Sequence, residues 1–132
     1  FCIPHRTDII RVKTQNKLFG SKGEDAAVKY LCQKDYVIHH RNYRIGRAEV
    51  DIVAEIDRIY VFVEVKTRST KSFGFPESFV TDRQKNILID AASTYTSEYQ
   101  YIKLIRFDII SVLLEPSKCT VSHFEDAFWP IA

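Results

Sequence analysis

Two stretches of this chain put charge at alternating positions of apolar runs, Ala48-Glu49-Val50-Asp51-Ile52-Val53 and Val61-Phe62-Val63-Glu64-Val65-Lys66-Thr67-Arg68. Both read as β-strands, whose side chains alternate between faces with period two. Glu49 and Asp51 then share a face opposite Val50 and Ile52, while Phe62, Glu64 and Lys66 share a face opposite Val61, Val63 and Val65. A two-residue turn at Asp57-Arg58 pairs Ile56 with Ile59. The same register sets Asp51 opposite Glu64 and Glu49 opposite Lys66, with Cβ atoms roughly 4.5–5.5 Å apart. Two carboxylates thus stand side by side with an ammonium next to them. Like charges at that distance repel unless a cation lies between them. A divalent metal resolves the conflict, and Lys66 resolves it in part. The competing reading is a solvated hairpin face on which Glu49 and Lys66 form a surface ion pair.

The elements that must position these groups follow from periodicity. Asn16 to Lys34 reads as a helix with Ala26, Ala27, Tyr30 and Leu31 as its apolar stripe, and Gly20 to Asp25 fall in or near its first turn, where acids suit the helix dipole. Tyr36 to Arg44 is β-rich, and Gly46 supplies the turn into the Glu49/Asp51 strand. The third strand runs from Ile59 to about Thr67. A second helix spans about Thr81 to Tyr99, capped by Thr81 or Asp82, with Ile87, Leu88, Ala91, Ala92 and Tyr95 inward. Lys103 to Leu114, the longest apolar run, reads as a central strand, and Thr120 to Phe124 as a final short one. The order α-β-β-β-α-β-β predicts an α/β fold, a mixed β-sheet flanked by helices on both faces.

With 132 residues and 45% hydrophobic content, the chain suits one packed domain, and its net charge of +2 implies no global attraction to polyanions. Residues 1–13 read as an N-terminal extension or an expression remnant, and 14–132 as the single domain. Cys2, Cys32 and Cys119, odd in number and widely spaced, read as reduced cysteines of a cytoplasmic protein. His39 and His40 are adjacent, point to opposite faces and read as strand residues, not metal ligands. No apolar run approaches the about 20 residues of a membrane span, and no signal peptide is visible.

Read together, Gly20-x-x-Gly23-Glu24-x-x-Ala27, Arg41-Asn42-Tyr43-Arg44, Glu49-Val50-Asp51-Ile52-Val53, Phe62 to Arg68 and Arg106-Phe107-Asp108 resemble the YraN-type uncharacterised proteins in order and spacing, over about residues 14 to 128. Asp51 followed after twelve residues by Glu64-x-Lys66 is also the pattern of nucleases of the restriction-endonuclease type. The resemblance implies a restriction-endonuclease-like fold, similar to that of archaeal Holliday junction resolvases. Two departures concern structure, not ligands: Val50 stands where the wider superfamily often has proline, and Ala48 where the family usually has glycine.

A nuclease of this type needs an activated water and neutralised charge at the phosphorus, which Mg²⁺ or Mn²⁺ on one or two carboxylates can supply. Asp51 and Glu64 are the expected metal ligands, with the Val65 carbonyl as a third, and Lys66 orients the attacking water. Glu24 is expected to reach in from the first helix to a second metal or a metal-coordinated water, its competing role being to complement the helix dipole. Gly20 and Gly23 let that helix lie close to the sheet. Glu49 and Gln84 are possible supporting groups. Arg106 and Asp108 read as a buried or half-buried charge pair.

Arg41, Tyr43, Arg44, Arg47, Arg68, Lys71 and Lys85 form the expected nucleic-acid rim, with Tyr43 able to stack on an unpaired base. A charged edge that discourages aggregation is the competing account. No helix resembles a major-groove reader, so shape or junction recognition fits better than sequence readout, with DNA favoured over RNA. The expected activity is metal-dependent hydrolysis of phosphodiester bonds in structured or branched DNA, in recombination or repair. The alternative is a non-catalytic nucleic-acid-binding or adaptor module that keeps the fold. A homodimer is expected too, because Phe124, Phe128 and Trp129 could be covered by a second copy.

Overall fold

Two tight turns set the register of the first three strands. Gly46, at φ +59°, and Arg47 connect the paired Ile45 and Ala48, and Asp57 and Arg58, at φ +49° and +68°, connect the paired Ile56 and Ile59. Positive φ at both central residues, as at Asp57 and Arg58, is the mirror-image turn that matches the twist of paired strands. The computed structural model describes residues 15–69, 80–99 and 104–129, with side chains of the first helix from residue 20 onward. The elements are α1 (Gln15–Gln33), β1 (Val37–Ile45), β2 (Ala48–Ile56), β3 (Ile59–Arg68), α2 (Asp82–Glu98), β4 (Leu104–Leu114) and β5 (Cys119–Phe124). The strands form one sheet in the order β1-β2-β3-β4-β5, antiparallel except for β3 and β4. A parallel pair needs a long crossover, and α2 lies within it. The expected α-β-β-β-α-β-β order is borne out.

Each helix covers one face. Ala27, Val28 and Leu31 of α1 bury against Ile52, Ala54, Val61, Val63, Ile110 and Val112. Leu88, Ala91, Ala92 and Tyr95 of α2 bury against Val50, Val53, Tyr60, Phe62 and Phe107. Helix α1 ends at Asp35, whose φ of +70° lets the Tyr36 amide return to the Leu31 carbonyl at 3.0 Å. Helix α2 begins in a reciprocal capping box: Thr81 Oγ1 accepts from the Gln84 amide at 3.1 Å, and Gln84 Oε1 accepts from the Thr81 amide at 2.9 Å. Because α1 starts at Gln15, Glu24 and Asp25 lie in mid-helix; its first turn holds no acid, which removes the helix-dipole account.

Strand β2 departs from strict alternation. Val50 packs on the α2 side while Ile52 packs on the α1 side, so the expectation that they share a face is corrected. The slip falls at Asp51. Opposite it, between the pairs Arg41–Ile52 and Tyr43–Val50, Asn42 adopts φ +50°. A left-handed residue inside a strand rotates the chain and re-aims its neighbours.

The charge pair on β4 is larger than its two expected members. Asp108 is fully buried and accepts from Arg106 Nε and Nη2 at 2.8 and 2.7 Å and from the Asp126 amide at 3.0 Å; His123 Nε2 lies 2.6 Å from its Oδ2. Arg106 also donates to the Tyr36 hydroxyl at 2.7 Å. Burial alone would push the Asp108 carboxyl up, but these donors together hold it below its ordinary range. The cluster ties β4, β5 and the segment after α1 together.

Phe128 is buried and stacks on Phe107 at 5.1 Å, and Phe124 packs beside the same core. Two of the three aromatics expected at a partner surface therefore turn inward, leaving Trp129 exposed. Cys119 is free, but Cys32 is disulfide-bonded, which corrects the expectation of three reduced cysteines. Spacing along the chain cannot report which sulfurs approach in space. No helix among the described residues is long and apolar enough to cross a membrane.

Candidate active site

Backbone pairing between β2 and β3 runs from Ile56–Ile59 to Ile52–Val63. Beyond it β3 stays paired with β4 as far as Arg68–Leu113, so the two hairpin strands part in a fork at Asp51 and Glu64. The fork is bridged by a side chain: the Val65 amide donates to Asp51 Oδ2 at 2.8 Å. Val65 thus brings its N–H to the pair, and the carbonyl of the same residue points to the same edge of β3. The Asp51 and Glu64 carboxyls share a hydrogen bond, so one of them holds a proton. Burial first, and then the Glu64 charge, pushes Asp51 up to about 8, with Glu24 and Glu49 adding smaller repulsions. Burial also raises Glu64, against the pull of Lys66, whose Nζ lies 3.3 Å from Glu64 Oε2.

The expected Glu49–Lys66 pairing does not form. Glu49 instead meets Arg44 at 3.3 Å, because the strands have parted before that register is reached. Glu49 still lines, with Asp51, Glu64, Arg47, Gln84 and Ile87, a cavity of about 260 Å³ at the fork. The capping box that fixes Gln84 uses its Oε1 and leaves the two Nε2 hydrogens uncommitted to it.

Helix α1 brings Glu24 near enough for its charge to act on Asp51. Gly23 makes that possible: a Cβ there would overlap Thr67 Oγ1 and sit 2.8 Å from Thr67 Cβ and Cγ2. Gly20 meets nothing within 4 Å, so only one of the two glycines serves the close approach. Glu24 is raised by burial and steadied by a hydrogen bond with Asn42 and by Arg41, whose Nη2 is 3.9 Å away. Asn42 is the residue that sequence reasoning missed. Its signal was its type, since asparagine is enriched at positive φ.

The expected nucleic-acid rim divides. Arg41 donates to Asp25 at 2.7 Å and is largely covered, so it serves the α1–β1 contact and is not available to a phosphate. Tyr43 stacks on His40 at 4.0 Å and meets Tyr95 edge-on at 5.6 Å, so its ring is engaged within the protein. Lys85 lies over the Phe128 ring at 5.8 Å and 3.9 Å from Asp82 Oδ1, and it is not among the residues lining the acid cavity. Arg47 is exposed and lines the cavity, Arg44 is exposed beside Glu49, and Arg68 is half-buried at the end of β3. Lys71 lies outside the described residues.

Among the described residues no three of His, Cys, Asp and Glu are grouped as a metal cage. The acid pair offers two carboxylates. Mg²⁺ is commonly held by one or two carboxylates and otherwise by water and substrate oxygens, so this donor set fits such an ion. The proton shared by the pair marks the place where positive charge is wanted.

The model of the uncharacterised protein family UPF0102 matches residues 23–112. A UPF0102 protein of Bacteroides fragilis is 43% identical over 116 residues, covering 88% of this chain and 96% of its own. One from Syntrophomonas wolfei is 41% identical over 114 residues, covering 86% of this chain and 99% of its own. The chain belongs to the UPF0102 family. The resemblance to YraN-type proteins is thereby borne out, and the matched span contains Glu24, Asp51, Glu64 and Lys66 but not His123. Among solved structures, Pyrococcus furiosus SfsA in complex with Ca²⁺ aligns at TM-score 0.35 and 15% identity. The alignment covers 83% of this chain and 63% of the SfsA chain. A likeness of that size carries no argument about this UPF0102 protein.

Proposed function

We propose that this UPF0102 protein is a divalent-metal-dependent endonuclease acting on phosphodiester bonds in structured or branched DNA. The observation that carries the reading is the fork itself: Asp51 and Glu64 are held together at the cost of mutual repulsion and burial, with Lys66 beside them. A purely structural site gains nothing from two acids forced to share a proton. Asp51 and Glu64 would hold Mg²⁺ or Mn²⁺, which supplies Lewis-acid polarisation of the phosphate and lowers the pKa of water. The Val65 amide fixes the Asp51 carboxylate so that it need not reorganise. Lys66 sets an ammonium where charge accumulates on the phosphoryl oxygens in the transition state, and orients the attacking water. Glu24 on α1 adds a negative charge felt at Asp51 and would hold a second metal or a metal-coordinated water, and Arg47, which lines the cavity, would meet the backbone of the strand.

The test is a cleavage panel of single-stranded, duplex, flap and four-way-junction DNA and structured RNA, with Mg²⁺ or Mn²⁺, together with anomalous scattering from Mn²⁺-soaked crystals. Metal-dependent cutting of the flap or junction, with a Mn²⁺ peak between Asp51 and Glu64, supports the proposal. Binding without any cutting, and no Mn²⁺ peak, replaces it with the adaptor reading.

A further inference from the structure

A second groove adjoins the acid cavity. It encloses about 350 Å³ between the β1–β2 turn and α2, and it shares Arg47 and Ile87 with the cavity at the fork. Its floor is aliphatic, from Ile45, Ala48 and Ile87. Arg47 and Arg83 stand on its wall, together with Asp90 and Thr94. Such a volume lies at the low end of small-ligand sites, about 300–1,000 Å³.

We infer that this groove seats one unpaired nucleotide of the strand whose neighbouring phosphate lies at Asp51 and Glu64. The inference rests on the nuclease reading and adds the substrate class: a strand unpaired beside the scissile bond. Three features converge on that occupant. The two arginines can each pair with a phosphate or with a base edge through a planar fork of donors. The aliphatic floor rewards an apolar ring face and offers nothing to a hydrated backbone. Arg47 belongs to both cavities, so a strand leaving the acid pair along α2 passes over the groove within one continuous surface. A base stacked and paired within a duplex cannot enter it without being extruded, which costs a few kcal/mol. Flaps, gaps and junction arms present such a base already free. Arg83 and the groove thus act in discrimination between substrates, whereas the acid pair and Lys66 act in chemistry.

The test separates binding from cutting. Fluorescence anisotropy in EDTA, where no cleavage occurs, measures the affinity of a labelled 12-nucleotide single strand and of the same sequence as a blunt duplex. The proteins are the full chain and the variants Arg83→Glu, Thr94→Trp and Arg58→Glu. Arg83 and Thr94 are exposed positions of α2, so both changes spare the core, and Arg58 makes the same charge change at the far turn. The full chain should bind the single strand about tenfold more tightly than the duplex, and Arg83→Glu and Thr94→Trp should each erase most of that difference, while Arg58→Glu preserves it. Equal affinity for the two DNAs, or a preference that survives both groove variants, overturns the inference and leaves the nuclease reading standing. A preference abolished by the groove variants in a protein that cuts nothing with metal keeps the groove and overturns the nuclease reading. Failure of the full chain to bind either DNA overturns both.

Discussion

Asp51 Oδ2 accepts the Val65 amide at 2.8 Å where the β2–β3 ladder has run out, so a carboxylate stands in for the backbone carbonyl that would accept elsewhere in the hairpin. The bond orients Asp51 and ties the separating strands together at the fork. In an Asp51→Asn variant the side-chain amide oxygen can accept the same bond, which makes that substitution a probe of charge alone.

In metal-free protein that charge works against folding. Asp51 has a higher pKa folded, about 8, than its ordinary value of 3.8, so the native state binds the extra proton and stability falls as pH rises between the two values. A tenfold change in proton affinity is worth about 1.4 kcal/mol. Asp51→Asn should therefore raise Tm at pH 8 by at least about 3 °C and have little effect near pH 4. Mn²⁺ should raise the Tm of the parent protein at pH 8 and not that of the variant, since an ion bound only by the native state stabilises it by mass action. A lower Tm for the variant at pH 8, read by calorimetry, would contradict the electrostatic account of the fork.

Lys66 and Arg47 should fail in different ways. Lys66→Ala should remove cleavage and leave DNA affinity within a few-fold, because Lys66 is one contact among many and acts on the transition state. Arg47→Ala should weaken binding at all sequences and reduce the log–log salt slope by about one. Arg41→Ala should leave that slope unchanged, because Arg41 is already committed to Asp25 at 2.7 Å. A reduced slope for Arg41→Ala and none for Arg47→Ala would reverse the assignment of the rim.

The two glycines of α1 give opposite expectations for one substitution. Gly23→Ala drives a methyl group into Thr67 and should cost about 1–3 kcal/mol by forcing α1 off the sheet. Gly20→Ala meets open space and should stabilise the helix by about 0.5–1 kcal/mol. Urea melts of the two variants decide the point. Equal effects would mean that α1 does not depend on contact at Thr67.

Asp108 should govern acid stability. Its pKa is held below the ordinary value of 3.8, so its contribution is fully present above that value and is lost as pH falls through the lower folded one. Removing the carboxylate strands a half-buried guanidinium, so Asp108→Ala should cost about 3–5 kcal/mol at neutral pH. Denaturant melts from pH 7 to pH 2 should show the gap between parent and variant closing at the acid end. A constant gap would mean that the loss is one of packing and not of charge.

The order and bounds of the elements were legible in the sequence because each rests on local physics. The periodicity of β3 places Phe62, Glu64 and Lys66 on one face, Thr81 caps α2, and Asp57-Arg58 turns the hairpin with the register that a two-residue loop imposes. The acid pair was legible for the same reason, since turn and alternation together fix which residues approach. What the pair does next was decided only in three dimensions. β3 keeps β4 as its partner while β2 leaves, a non-local choice, and the resulting fork denies Glu49 the Lys66 it would have met in a continued ladder. Asn42 at positive φ lies opposite Asp51, where β2 keeps its register with β1 but loses strict alternation, so Val50 and Ile52 turn to opposite faces. Arg41, Tyr43 and Lys85 look alike in sequence as a cationic and aromatic rim. Asp25, Tyr95 and Phe128 lie on α1, α2 and the segment after β5, and these non-local contacts engage Arg41, Tyr43 and Lys85, while Arg47 and Arg83 line the cavities.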